Sequence, residues 1–342
     1  MSDAERAGQD SDRSGASIRR STFKPAWWLP GGHTQTLYAT YLKRAPRLRL
    51  ETQLFELPDG DCTRGFWLCP RRPGKPLVIL LPGLRGDTGS PYIRGLAVRL
   101  AQAGYGILTL PFRGTRGNPN RRRETYHAGW VGDLDWVVEY LNQQEHAAPL
   151  AIIGFSLGGN MLLRWLATAP GASRIQQAIC VSVPFDLSCV AHEMKRGTAR
   201  LYQAALVQNL RRTALRKLAD YGHPTLESGD LKRLRTFLDF DGRYLAPLYG
   251  FQDAEDYYAK TSSRSILGRI RTPTLIIQAL DDPIIPGSCL PRESEWSAST
   301  VLEWSPRGGH VGFIRGRWPF RGHAWLDERI IEVLTETCSP EC

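Results

Sequence analysis

The chain has 342 residues, 42% hydrophobic and 23% charged, with Lys+Arg 44 against Asp+Glu 34 for a net charge of +10. That length suits about two domains, or one α/β domain enlarged by an insertion. The balance excludes disorder throughout and a fibrous chain, and the aperiodic Gly 33 and Pro 23 exclude collagen.

The longest apolar runs, such as Pro76 to Leu84, fall far short of the ~18 residues a membrane span needs. The polar start has no apolar h-region, so no signal peptide is expected. The basic surplus suits nucleic acid, an anionic membrane or an acidic substrate without choosing among them. Nucleic acid is not expected as a partner, because no helix-turn-helix, RNA-binding or zinc signature is present. The cysteine count is odd, at seven. Cys62 and Cys69 have no second pair at zinc-finger spacing, and Cys338 and Cys342 lie in a polar tail. The expectation is therefore free thiols in a reducing cytoplasm, a cytoplasmic protein and no metal site.

Residues 1 to 22 are rich in Ser, Asp, Gly and Arg and read as a disordered tail. An aromatic stretch follows, from Phe23 through Trp27, Trp28 and Leu29 to His33. Next come two strand-like segments, LRLETQLFE and CTRGFWLCP, joined by a Pro58-Asp59-Gly60 turn. From LVILLPG onward, short apolar runs alternate with helical segments: YIRGLAVRLAQAG, YGILTLPF, GWVGDLDWVVEYLNQQ, LAIIGF, GNMLLRWLATA and QAICVSVP. Runs of this kind fit strands buried on both faces, and the alternation predicts a doubly wound, mostly parallel α/β sheet. Residues 186 to 265 are helical and charged, without a strand pattern, and read as a helical cap insertion. The α/β rhythm resumes with TPTLIIQAL, STVLEWSP and a last helix near WLDERIIEVLTE. The core is thus expected at 23–185 and 266–337, interrupted by the cap.

Gly154-Phe155-Ser156-Leu157-Gly158 matches the G-x-S-x-G nucleophile elbow. It follows a buried strand and opens a helix, the strand–turn–helix setting that lifts a serine Oγ off a strand end. A serine hydroxyl needs an adjacent base. In this architecture the partners follow in the order Ser, Asp/Glu, His. His310, in Gly308-Gly309-His310 after VLEWSP, is better set than His323 before the last helix. The acid belongs after TLIIQAL, where Asp281 and Asp282 stand together; Asp282 is preferred, the other serving the turn before Pro283. The oxyanion donors expected are the amides of Leu157, after the nucleophile, and Leu84, in the Pro82–Asp87 loop.

These residues resemble the α/β-hydrolase superfamily and, more narrowly, its YheT-like branch (AB-hydrolase family 4). The resemblance runs from about residue 23 to near the end. It is carried by PAWWLPGGHTQT, LLPGLRGDTGSPYIRGLA, PFRGTRGNPNRRRETYHAGWVGDLDWVVEYL, GFSLGGNMLLRWL, ALDDPIIP and GGHVGF. It implies an α/β-hydrolase fold, a Ser156–Asp282–His310 triad and esterase or lipase activity on acyl esters. Relatives commonly carry His-Gly at the oxyanion loop, where this chain has Pro82-Gly83, and Asp87 to Ser90 is irregular.

The reading is a serine hydrolase of carboxylic esters acting on a small-molecule acyl ester or lipid, with no cofactor required and no oligomeric state read from the sequence. Acyl transfer to an alcohol is the nearest alternative; a low-turnover binding protein on a hydrolase fold is the second. From Lys195 to Lys217 there are seven basic residues and no acidic one. This is read first as a cap helix with its arginines in water, and it is also compatible with weak peripheral contact with an anionic membrane. The arginines from Arg121 to Arg123, near Arg113 and Arg116, are weighed as a phosphate site against a solvated loop. His33 and His127 are expected to pack or hydrogen-bond.

Overall fold

The computed structural model describes residues 16–69, 76–84, 86–115, 117–118, 120–144 and 151–337. The chain enters with a short strand β1 (Ser17–Arg20) and a helix α1 (Gly32–Leu37) that widens into a π turn over Tyr38–Leu42. Strands β2 (Glu51–Glu56) and β3 (Cys62–Cys69) pair antiparallel about the turn where Gly60 takes φ +79°. The α/β rhythm then runs β4 (Leu77–Leu81), α2 (Pro91–Gln102), β5 (Gly106–Thr109), α3 (Gly132–Gln143), β6 (Ala151–Phe155), α4 (Leu157–Thr168) and β7 (Gln177–Val181).

Between β7 and the next strand the described chain is helical: α5 (Leu187–Glu193), α6 (Ala199–Tyr221), α7 (Ser228–Arg233), α8 (Phe237–Phe240), α9 (Ala246–Tyr249) and α10 (Ala254–Thr261). Then come β8 (Thr274–Ala279), β9 (Thr300–Ser305), a two-residue pairing of β10 (Ile314–Arg315) with β11 (His323–Ala324), and α11 (Trp325–Thr337).

The sheet order is β1-β9-β8-β7-β6-β4-β5-β3-β2, parallel throughout except at β3, which is antiparallel to both β2 and β5. The strand period of two decides what covers each face. Leu77, Ile79 and Leu81 join a core with α3 and α4, whereas Val78 and Leu80 join a second core with α2 and α11. Every residue of β4, β6, β7 and β8 is buried, as expected for strands covered on both sides.

Two sequence expectations are corrected. The tail drawn to residue 22 ends earlier, because Ser17–Arg20 extend the sheet edge in register with Val301–Trp304. Ser21 then donates to Glu303, which is itself buried against Arg329, so a polar segment is held by a buried ion pair rather than by apolar area. The rest of that tail, residues 1–15, lies outside the described residues, as do Cys338 and Cys342. The free-thiol expectation fails at Cys189 and Cys289, which form a disulfide with Cα atoms 5.6 Å apart. A separation of 100 residues hides the pairing in the sequence; the fold returns α5 to the turn that follows β8. Cys180 is buried, with its thiol pushed up by burial.

The helices between β7 and β8 carry their own small core. Val207 and Ala214 of α6 pack with Leu231, Leu234 and Tyr244, so the apolar side of α6 is occupied from within. Asp241 is buried beside it, accepting from Tyr258 Oη–H at 2.7 Å, and burial pushes its carboxyl up to about 7.

Two stability predictions follow from these contacts. The Cys189→Ser/Cys289→Ser variant is expected to lose about 2–4 kcal/mol, the usual range for a bridge closing a long loop, read by urea unfolding. For Asp241, the folded state holds the proton more tightly than the unfolded chain, so wild-type stability falls as pH rises from about 4 to about 7. Asp241→Asn does not titrate and keeps an acceptor for Tyr258. Its Tm should therefore gain on wild type between pH 4 and pH 8, by the equivalent of at most a few kcal/mol; equal Tm differences at both pH values would contradict this.

Candidate active site

The C-terminal ends of β6, β8 and β9 bring the residues of the site together. Ser156 joins β6 to α4 with φ 51° and ψ −122°, a conformation costly for a residue with a side chain. Hydrogen bonds hold it there: its N–H donates to Val181 O at 2.8 Å, and its carbonyl accepts from Gly159 and Asn160. The flanking glycines are required by close approach. A Cβ on Gly158 would lie 2.4 Å from the carbonyl oxygens of Leu81 and Pro82, and one on Gly154 would lie 2.7 Å from Gly158 O.

His310 Nε2 is 3.0 Å from Ser156 Oγ, and His310 Nδ1 is 2.9 Å from Asp282 Oδ2. The Asp282 carboxylate can only accept, so Nδ1 carries the ring proton and donates it to Oδ2 in a hydrogen bond, leaving Nε2 to accept from the serine hydroxyl. Asp282 is fully enclosed, and its other oxygen accepts the backbone N–H groups of Ile284 and Ile285 at 2.8 and 3.0 Å. One residue thus makes the Asx turn and orients the imidazole. Asp281 instead accepts from Gly309 N–H at 2.9 Å, holding the loop that carries His310. His323, the histidine set aside, is exposed on β11 beside Arg315 and Glu328.

Leu157 opens α4, where the first N–H groups have no partner within the helix. Leu84 lies in the turn after Gly83, whose own N–H donates to Tyr92 Oη at 3.1 Å. Burial pushes the Tyr92 phenol up to about 12, so it stays a neutral acceptor under this loop. Gly83 sits against the serine: a Cβ there would be 2.9 Å from Ser156 Cβ.

Several supporting residues escaped the sequence reading. Thr36 Oγ1 accepts from His310 N–H at 2.8 Å, and Ser182 Oγ accepts from Val311 N–H at 3.0 Å. Gly309 seats so closely on α1 that a Cβ would be 2.3 Å from Gly32 O. The only signal was PGGHTQT itself, whose small and hydroxyl residues let α1 lie directly on the His310 loop. His33 bridges to α6, with Tyr202 Oη 2.9 Å from Nδ1 and Thr198 Oγ1 3.2 Å from Nε2. His127 packs edge-on among Trp130, Tyr249, Phe251 and Tyr257, and burial, then the charge of Arg164, lowers it to about 4.

Arg113 is buried among Asp59, Asp61 and Asp133, and Arg121 pairs with Glu56 at 2.6 Å; these cations face internal carboxylates rather than a phosphate. Arg116 lies outside the described residues. Among the described residues, no group of three or more His, Cys, Asp or Glu is placed to hold a metal ion.

A family model described as alpha/beta hydrolase fold matches residues 76–316. YheT of Escherichia coli (strain K12), provisionally named an esterase, is 36% identical over 318 residues, 92% of this chain and 93% of the relative. The chain is an α/β-hydrolase of the YheT-like branch. The hydrolase is also 29% identical over 272 residues to the monoacylglycerol lipase of Saccharomyces cerevisiae, covering 76% of this chain and 59% of that one. Among solved structures, the α/β hydrolase GrgF of Penicillium superposes with a TM-score of 0.55 at 18% identity, over 85% of this chain and 99% of that one, a likeness of fold alone.

The contact at Gly83 is directly testable. Gly83→Ala must push Ser156 or the loop aside, so labelling of Ser156 by a fluorophosphonate should slow by about tenfold to a hundredfold. Labelling at the wild-type rate would show that the loop yields without moving the serine.

Proposed function

We propose that this hydrolase cleaves carboxylic esters, of small molecules or lipids, through a covalent acyl-enzyme on Ser156. One observation carries the reading: the unbroken hydrogen bonds from Ser156 Oγ through His310 to the enclosed Asp282, at a serine held in a costly backbone conformation. The likeness to the yeast monoacylglycerol lipase supports an acyl ester as substrate.

In this reading Ser156 Oγ attacks the ester carbonyl carbon while His310 Nε2 takes its proton. The amides of Leu84 and Leu157 donate to the oxygen that becomes negative, where preorganised donors are worth most. Collapse breaks the bond to the alcohol oxygen, which receives the proton from His310. Water then loses a proton to His310 and attacks the acyl carbon, releasing the acid and restoring Ser156–OH. Asp282 stays ionised throughout and stabilises the imidazolium. Pro82, where relatives commonly have histidine, removes a side-chain donor from the loop but leaves the Leu84 amide in place.

The test is hydrolysis of p-nitrophenyl esters from acetyl to palmitoyl by wild type and Ser156→Ala. Wild type should turn over part of the series, and the variant should lose at least ~10³-fold in kcat. A wild type no faster than Ser156→Ala on every ester would remove the ester-hydrolase reading.

A further inference from the structure

Two distant segments of this chain carry no acidic residue: Ser21 to Leu50 and Trp304 to Leu326. The fold lays them side by side. Trp27 Nε1 donates to Arg317 O at 2.8 Å, Trp28 Nε1 donates to Gly316 O, and the Trp28 ring lies 6.0 Å from that of Phe320. Large apolar side chains on these segments face water: Trp27 is 71% exposed, Tyr41 73%, Trp318 63% and Phe320 79%, with Leu37 and Leu42 beside them in sequence.

Phe320 is held at φ +59°, a conformation unusual for a bulky side chain, and projects outward. Packing inside the protein does not reward that strain. Basic residues are interleaved: Lys24, Arg44, Arg317 and Arg321 engage in no ion pair among the described residues, while Arg315 pairs with Glu328 and Lys43 approaches Asp327 at 4.0 Å. The Arg317 guanidinium lies 5.5 Å over the Trp318 ring.

We propose that this surface docks the hydrolase on an anionic phospholipid bilayer. Exposed Trp, Tyr and Phe side chains suit the headgroup level, where an aromatic ring meets apolar and polar surroundings together. Lys and Arg without ion-pair partners add attraction to anionic headgroups, and apolar insertion combined with such attraction holds a protein on a membrane more firmly than either signal alone. The surface adjoins the candidate site: Thr36, on the same segment as Trp27 and Tyr41, binds the His310 backbone. Docking here would bring a membrane lipid to Ser156, but the docking itself stands apart from the ester-cleavage reading. It also differs from contact through α6, whose apolar side is already packed.

The experiment is sedimentation of the full chain with vesicles of phosphatidylcholine mixed with phosphatidylglycerol, against phosphatidylcholine alone, at ~0.1 M and ~0.5 M salt. Wild type should bind the mixed vesicles and release at high salt. Trp318→Ser/Phe320→Ser and, separately, Arg317→Glu/Arg321→Glu should each weaken binding about tenfold or more, with Tm and turnover of a water-soluble ester unchanged. Arg212→Glu/Arg216→Glu on α6 should bind like wild type. The proposal is overturned if wild type ignores mixed vesicles, or if only the α6 variant loses binding. It also falls if the aromatic surface instead pairs two copies, seen as a dimer that Trp318→Ser/Phe320→Ser splits. Absence of ester turnover alongside intact vesicle binding would sink the proposed reaction and leave the docking standing.

Discussion

The left-handed backbone at Ser156 is the constraint around which the centre of this molecule is arranged. A side chain at φ 51° pays a conformational cost that neighbouring contacts must offset. Here β7 supplies an acceptor for its N–H, α4 supplies donors for its carbonyl, and Gly154 and Gly158 remove the Cβ atoms that would collide with β4 and the helix. The same requirement explains why β4, β6 and β7 are buried at every position. A serine presented at a strand end is only as well placed as the strands beneath it are immobile, and strands sealed on both faces by α2, α3, α4 and α11 have no solvent-facing side along which to shift.

The imidazole is positioned differently. Ser156 is fixed by its own strand and helix, whereas His310 rides on a glycine loop with little local structure of its own. Its position comes from three unrelated parts of the chain: Asp282 on the ring with Asp281 on the backbone just before the histidine, Thr36 on the backbone at the histidine, and Ser182 on the residue after. The N-terminal segment is therefore part of the site's support rather than an appendage. Its bond through His33 to Tyr202 and Thr198 extends that support to α6, where Tyr202 packs against the same small core as the disulfide that fixes α5 to the turn after Asp282.

What could be read in the sequence was whatever local chemistry dictates. The elbow glycines, the alternation of buried strand and amphipathic helix, and the order of Ser156, Asp282 and His310 all follow from rules that act within a few residues or along the chain. What could not be read depends on distance in sequence. Nothing near Cys189 points to Cys289, and nothing near Arg113 announces three carboxylates from two other segments. Ser17–Arg20 look too polar to order because their stabilising partners, Glu303 and its ion pair with Arg329, come from near the other end of the chain. Thr36 was in plain view, but a hydroxyl in a helical segment has many ordinary uses, and only the fold brings it to His310.

Charge shows the same division between composition and placement. The net +10 left the arginine run around residue 121 and the long basic stretch in the cap as candidate sites for an anionic partner, each weighed against a solvated surface. The run is largely neutralised: Arg113 lies among three aspartates, Arg121 on Glu56, Arg123 beside Glu124. In the cap, Arg196 pairs with Glu193, whereas Arg211 and Lys217 are directed to backbone carbonyls and keep their charge. A formal surplus has long-range effect only where cations lack nearby counter-charges, because a close ion pair projects little field beyond a Debye length. On this molecule the two acid-free segments beside His310 combine such cations with exposed aromatic rings, so the composition acquires a direction only when the fold brings residues 21–50 and 304–326 together.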